Sequence, residues 1–293
     1  SDVCSSDLPN LLARSLTTRR TNIVGLVVDE MENPNILQVL DGVTKRLQRR
    51  GYMSMLLNIA TDDSHHSALS LADQFQVDGL IFLGTLLNDE LLQLAQEIRN
   101  IPLIVLYRNS DNPNIHVVTT DGYQAGIEIA CLFAEQGYRR IGYMSGPHSE
   151  STQLKRLEGF RDGLEAKGIA VGPILQAGHY QRPSGFRAMN RYLDGTPPHE
   201  RIEAIFCEND ILAFGALDAM RTRAESTSIA VVGFDDIELA ATPCYDLTTY
   251  SQPLDILVNE AIRRLTSEDR SPSRFLAPGT LVLRTSHLRK QST

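Results

Sequence analysis

From Asn22 onward, short apolar runs alternate with amphipathic stretches, and the whole alternation occurs twice. In the first series, apolar runs at 23–28, 53–57, 79–83 and 103–106 read as strands. The stretches 35–50, 67–76 and 89–98 between them read as helices. In 35–50, Ile36, Val39, Leu40, Val43 and Leu47 recur at three- and four-residue spacing, the signature of one buried helix face. The second series predicts helices at 123–136, 154–167, 185–193 and 211–221, with strands at 141–144, 174–176, 204–207 and 229–234. Strands that are apolar almost throughout, each followed by a helix, imply parallel sheets covered on both faces. The expectation is therefore an α/β protein of two Rossmann-like lobes with a cleft between them. A strand at 247–250, a helix at 254–265 and a strand at 280–283 are left over, and allow the chain to cross back between lobes.

At 293 residues the chain exceeds the usual size of a single core, which fits two lobes. A net charge of −8 makes the body a poor partner for phosphate backbones, so any DNA contact must come from a local basic segment or from residues outside this sequence. No run approaches the roughly 20 apolar residues that span a bilayer, and the first twenty residues have no apolar core of export-signal type. These features predict a soluble cytoplasmic protein. Cys4, Cys131, Cys207 and Cys244 form no CxxC pair and have no histidine at zinc-finger spacing, so reduced thiols are expected. Residues 1–8 lack periodicity and match the translation of a sequencing-library adapter. They are expected to be a non-native leader, with an upstream portion of the protein missing.

Catalytic signatures are absent: there is no GxxxxGK[ST], GxSxG or HExxH, and Gly146-Pro147 lacks dinucleotide-site spacing. Asp62-Asp63-Ser64-His65-His66 reads as a helix opening with capping acids rather than a metal site, and the other histidines are scattered. No enzyme activity, cofactor or metal is expected. In doubly wound sheets, ligands bind beyond the carboxyl ends of the strands. The segments there hold Asp29 to Asn35, Gly84-Thr85, Ser145-Gly146-Pro147, Glu208-Asn209-Asp210 and Asp235-Asp236. Such amides, carboxylates and hydroxyls suit a polar small molecule. Taken singly, Asn209 and Asp235 are explained as well by capping, and Arg156 by solvation; their common strand-end position is what points to a site.

Five stretches in order carry a resemblance. They are Pro9-Asn10-Leu11-Leu12-Ala13-Arg14-Ser15-Leu16, Arg156-Leu157-Glu158-Gly159-Phe160, Asn209-Asp210-Ile211-Leu212-Ala213-Phe214-Gly215-Ala216-Leu217, Ile229-Ala230-Val231-Val232-Gly233-Phe234-Asp235-Asp236-Ile237 and Leu247-Thr248-Thr249-Tyr250-Ser251-Gln252-Pro253. Over nearly all of 9–287 the chain resembles the LacI/GalR family of bacterial transcription regulators. The resemblance implies a periplasmic-binding-protein-like type I core. A hinge helix and a helix-turn-helix headpiece would precede it, the headpiece before Pro9. It divides the chain into a hinge segment at 9–21, an N-terminal lobe of 22–121 with 252–278, and a C-terminal lobe of 122–251 with 279–290.

Several residue roles follow from the same likeness. Leu12, Arg14, Ser15 and Leu16 would contact DNA through the hinge, with Leu16 as a wedge whose unstacking cost is offset by contacts to the bent duplex. Arg156, Asn209 and Asp235 would hold the effector, Tyr180 would be an aromatic wall, and Gln252 would contact ligand from a crossover. Met31, Pro34, Asn35 and Ile36 would line the first-lobe rim, with Asn100 and Asp121 as further polar contacts. Val39, Val43, Phe214, Leu239 and Thr242 would form a homodimer interface. The implied function is the effector-sensing core of a repressor, whose small polar ligand, a sugar or derivative, shifts lobe closure and thereby operator binding. The rival reading is a periplasmic sugar-binding protein of a transporter, against which the 11–16 motif argues. Two departures from the family pattern stand out: a short connection between Met220 and Ile229, and Tyr245-Asp246 in place of paired prolines.

Overall fold

A computed structural model describes residues 20–29, 31–59, 62–84, 91, 95, 101–110, 113–147, 154–223, 228–268 and 271–289. The first sheet contains β1 (Ile23–Val28), β2 (Met53–Asn58), β3 (Gly79–Leu83), β4 (Leu103–Leu106), β5 (His116–Thr120) and β11 (Arg274–Ala277), in the order β11-β5-β4-β3-β1-β2. All of its pairings are parallel. The second contains β6 (Ile141–Ser145), β7 (Val171–Gln176), β8 (Ala204–Cys207), β9 (Ala230–Asp235), β10 (Thr248–Ser251) and β12 (Thr280–Val282), in the order β12-β10-β9-β8-β6-β7. Only β12 runs antiparallel, against β10. Each sheet has an apolar core on both faces, which is why β3, β4 and β8 are buried along their whole length and show no inside-outside alternation.

Helices α1 (Pro34–Arg49), α2 (Asp62–Gln74) and α7 (Leu254–Thr266) belong to the first lobe. Helices α3 (Gly122–Glu135), α4 (Arg156–Glu165), α5 (Arg182–Gly195) and α6 (Asp210–Arg221) flank the second sheet. α1 starts where Asn33 caps it, its side chain accepting from Asn35 N at 3.1 Å with Pro34 in the first turn. It buries Ile36, Val39, Val43 and Leu47, the residues its periodicity marks. α3 and α4 meet at backbone contact: a Cβ on Gly159 would lie 1.9 Å from Tyr123 O. That approach fixes where α4 begins, and so where Arg156 sits.

The chain passes between the sheets three times, after β5, after β10 and after β11, and the crossovers lie side by side. Thr120 Oγ1 donates to Gln252 Oε1 at 2.7 Å, and Asp121 N donates to Ala277 O at 2.9 Å. Gly279 packs so closely on Ser251 that a Cβ would meet its carbonyl oxygen.

α2 begins at Asp62, five residues before the expected 67, and four further elements differ from expectation. β5 was not expected because its only apolar pair, Val117-Val118, is too short to show a period; the strand is buried because β4 and β11 close on both of its edges. β11 was not expected because an edge strand needs only one partner, and Arg274–Ala277 alternates exposed and buried positions over just four residues. β7 begins earlier than 174 despite Pro173, which is tolerated because β7 is the sheet's last strand and one of its edges needs no donors. α5 likewise starts earlier than 185, with Pro183 in its first turn. The helix expected over 89–98 falls almost entirely outside the described residues.

Candidate functional site

The carboxyl ends of β6, β8 and β9 gather polar groups on one edge of the second sheet. Arg156 opens α4 after Lys155, whose φ of 58° turns the chain into the helix. It is 6% exposed; its guanidinium lies 3.4 Å above the Phe234 ring, and its Nη1 donates to the Glu208 carbonyl. An arginine held by a ring face and one carbonyl keeps further N–H groups for a ligand.

Asp235 follows Phe234 with φ 120°, a backbone conformation costing about 1–3 kcal/mol in a non-glycine residue. Its carboxylate accepts from Gln252 Nε2 at 2.7 Å. Burial pushes its pKa up to about 6 against the opposing pull of Arg156 and the Gln252 hydrogen bond. The neighbouring Asp236 turns elsewhere and pairs with Arg284 at 2.8 Å. Asn209 Oδ1 caps α6 by accepting from Leu212 N at 3.0 Å, which leaves its amide N–H groups to donate. Behind it the wholly buried Asp210 accepts from Thr249 Oγ1 at 2.6 Å and Ile237 N at 3.0 Å. Burial, reinforced by the charge of Asp235, holds its pKa well above the carboxylate range.

Tyr180 lies across Gly146 so closely that a Cβ there would fall 2.2 Å from its ring. Its hydroxyl donates to Glu208 Oε2 at 2.9 Å. Glu208 also accepts from Tyr143 Oη at 3.0 Å and Gly146 N at 2.6 Å. One residue thus ties β6, the segment after β7 and Arg156 together.

The first lobe faces this edge. Tyr107, at the carboxyl end of β4, has its pKa raised by burial and also by the charge of Asp235 in the other lobe. Gln181 Nε2 donates to Glu32 Oε2 at 3.0 Å, a direct hydrogen bond between the lobes. Met31 is half-buried and Asn35 is buried at the α1 N-terminus, with Pro34 beside them. Ile36 is 3% exposed and belongs to the first-lobe core. Asp121 caps α3, accepting from Gln124 N at 3.0 Å. Gln252 spans the crossovers from Thr120 to Asp235.

The structure therefore brings Arg156, Tyr180, Asn209, Asp235 and Gln252 together, with α1's first turn opposite. Asn100 and the hinge residues Leu12, Arg14, Ser15 and Leu16 lie outside the described residues. The expected dimer contacts need correction. Val39, Val43 and Phe214 are each 0% exposed, the valines packed under the first sheet and Phe214 against Tyr245 at 4.4 Å between ring centroids. Their side chains have no surface to offer a partner; helical spacing marks core and interface residues alike, and here the core takes them. Leu239 and Thr242 remain partly accessible.

Tyr245 fills the place of one family proline through that packing, and its hydroxyl donates to Asp218 Oδ1 at 3.1 Å. Asp246 takes φ 43° and accepts from Ser286 N. Glu208 enters the sequence reading only as part of a polar strand-end segment, and Tyr107 not at all, although each directly follows a strand and the strand-end rule covers both.

Residues 21–254 match the family described as periplasmic binding proteins and sugar binding domain of LacI family. The chain belongs to the LacI family. It is 31% identical over 264 residues to the HTH-type transcriptional repressor PurR of Klebsiella pneumoniae subsp. pneumoniae, covering 88% of this chain and 76% of that protein. PurR of Escherichia coli O139:H28 matches with the same identity and coverage. Among solved structures, the transcriptional regulator CelR in complex with cellobiose superimposes with a TM-score of 0.80 at 26% identity, over 98% of this chain and 92% of that one. A periplasmic binding protein/LacI transcriptional regulator from Alkaliphilus metalliredigens QYMF, complexed with D-xylulofuranose, shares the fold with a TM-score of 0.77 at 24% identity, over 92% of this chain and all of that one (100%). This LacI-family chain is the effector-binding core of a transcriptional regulator, and the transporter alternative is not favoured. Among the described residues, no helix is long and apolar enough to cross a membrane.

Proposed function

We propose that this protein is a cytoplasmic, homodimeric repressor without catalytic activity of its own, whose effector is a sugar or sugar derivative bound between the lobes. Arg156, Asn209 and Asp235 hydrogen-bond its hydroxyls, Tyr180 stacks on its face, and Gln252 reports from the crossover. Met31, Pro34, Asn35 and Asp121 complete the rim. The observation that carries this reading is the convergence of Arg156, Tyr180, Asn209 and Asp235 on one sheet edge, facing the first lobe across the Gln181–Glu32 hydrogen bond. The cellobiose and D-xylulofuranose held by the structural neighbours support a carbohydrate.

The moving bodies are 22–121 with 252–278 and 122–251 with 279–290, turning about the three crossovers. Effector binding favours one closure state by its differential affinity, a coupling of about 1–3 kcal/mol. Across a twofold axis, closure sets the spacing of two first lobes and hence whether two hinge segments meet on operator DNA. The test is a thermal-shift panel of sugars and nucleobases, followed by calorimetry. A sugar that stabilises the wild type and does not bind Arg156→Ala supports the reading. Nucleobases as the only binders would sink the carbohydrate assignment.

A further inference from the structure

An acid in the first turn of a helix ordinarily faces water and complements the helix dipole. Asp210, the first residue of α6, does neither in the usual way. It is wholly buried, and its two carboxyl oxygens reach two other elements. Oδ1 accepts from Thr249 Oγ1 of β10 at 2.6 Å, and Oδ2 accepts from Ile237 N beyond β9 at 3.0 Å. Thr249 Oγ1 in turn accepts from Asp236 N at 3.4 Å. β9 itself passes so close that a Cβ on Gly233 would lie 2.2 Å from Asp210 Oδ1. Asp210 therefore meets the chain on both sides of Asp235, at residues 233, 236 and 237. Within that span Asp235 and Asp236 both hold positive φ, 120° and 56°, which non-glycine residues keep only where their surroundings over-determine it. The two donors to Asp210 carry no charge, so burial favours its neutral form, and its pKa is held well above the carboxylate range.

We infer that Asp210 is a positioning residue: through Ile237 N and Thr249 it clamps the strained turn after β9 and so holds the Asp235 carboxylate beside Gln252 at the cleft. Being wholly buried, it does this without touching a ligand. The inference rests on the effector site proposed above and adds the device that builds it. Asn209 and Asp210 are consecutive, so one helix start sets both the Asn209 amide and, through the clamp, Asp235. Remove the clamp, and the turn is free to relax to ordinary φ values. Asp235 then leaves Gln252 Nε2, which it meets at 2.7 Å, and gains water.

The full chain tests this in two arms. Without ligand, the Asp235 carboxyl is followed by carbon NMR of aspartate-labelled protein and assigned by its loss in Asp235→Asn. Its pKa, about 6 in the wild type, is expected to fall toward the ordinary 3.8 in Asp210→Ala. Asp210→Asn removes any charge but keeps an acceptor for Ile237 N and a polar partner for Thr249, so it should hold Asp235 near 6. With ligand, calorimetry uses cellobiose and D-xylulose. For whichever sugar binds, Asp210→Ala is expected to lose about 30-fold in affinity and Asp210→Asn to recover most of it. Thr249→Val cuts the link to Asp236 N and leaves Ile237 N bonded; it should lose about fivefold and serves both arms if a circular-dichroism melt shows Asp210→Ala unfolded. An Asp235 pKa unmoved in both Asp210→Ala and Thr249→Val overturns the inference, whatever the sugars do. A moved pKa with unchanged sugar affinity overturns its bearing on the effector. If neither sugar binds the wild type while the pKa moves as expected, the carbohydrate reading above suffers and the positioning role stands.

Discussion

The two walls of the cleft are built differently. In the second lobe, Arg156, Tyr180, Glu208 and Asp235 are held by hydrogen bonds and a ring contact made within their own lobe or with the crossover. Their geometry exists before any ligand arrives. In the first lobe, the described residues that follow β1 at the same cleft are engaged in starting α1: Asn33 caps it, Pro34 opens it and Ile36 enters the core. Among the described residues, the first wall therefore presents a helix N-terminus and its neighbours rather than a set of pre-aimed side chains. On the proposed reading, a fixed recognition wall and a simpler closing wall divide the work, the second lobe choosing the ligand and the first registering that it has arrived.

The sharpest way to break this comparison is to truncate one group on each wall. Arg156→Ala removes several charge-assisted hydrogen bonds and is expected to cost about 3 kcal/mol or more of effector binding. Asn35→Ala, at the start of α1, is expected to cost less than about 1 kcal/mol. Calorimetry of the two variants measures both, and equal losses would show that the walls share recognition. Arg156→Lys should recover little, since an ammonium cannot reproduce the planar fork that lies on Phe234.

That asymmetry also explains what was legible in the sequence. Arg156, Asn209 and Asp235 stand at strand ends or helix starts in a chain whose strands are plainly apolar, so their placement follows from the α/β pattern. Glu208 and Tyr107 occupy equally visible positions, yet their roles depend on which hydroxyl or charge reaches them from another strand or the other lobe, and no local pattern encodes that. Val39 and Val43 show the converse problem: three- and four-residue spacing marks a buried face without saying whether a sheet or a second subunit buries it. β5 and β11 escaped for a third reason, being strands whose burial comes from their neighbours more than from their own composition.

Rigidity of the second wall is the next point of attack. Gly159→Ala would place a methyl group 1.9 Å from Tyr123 O, where only backbone can yield, so α3 and α4 must separate. A loss of about 3 kcal/mol in stability is expected from such overpacking, read from denaturant unfolding, together with weakened effector binding because Arg156 moves with α4. Lost stability with unchanged affinity would mean that Arg156 is positioned independently of the helix pair.

A smaller effect reports on the charge held in that wall. The folded pKa of Asp235, about 6, lies above the ordinary 3.8, so the folded state binds more protons than the unfolded chain between those values. Stability from this group therefore increases as pH falls from 7 toward 5, by about 1 kcal/mol, and declines as pH rises again. His287, whose pKa is lowered by burial, works in the opposite sense in the same window, while the depressed Glu260 and Glu203 act chiefly below it. The informative quantity is thus wild type minus Asp235→Asn across pH 5–7, measured by denaturant unfolding. A difference that stays flat would show that Asp235 keeps an ordinary pKa and that its wall is wetter than the burial implies.

The smallest expected effect lies at the mouth of the cleft. Gln181 and Glu32 are both exposed, and their 3.0 Å hydrogen bond competes with water on each side. Gln181→Ala should weaken effector affinity by no more than about 1 kcal/mol, because the bond forms only when the lobes are together and contributes nothing to recognition itself. The loss should appear as faster effector release with little change in association, since a contact made after closure slows opening. Equal effects on both rates would mean that the contact already exists in the unliganded protein. The two lobes would then be held together before the ligand arrives, and the first wall would be as preformed as the second.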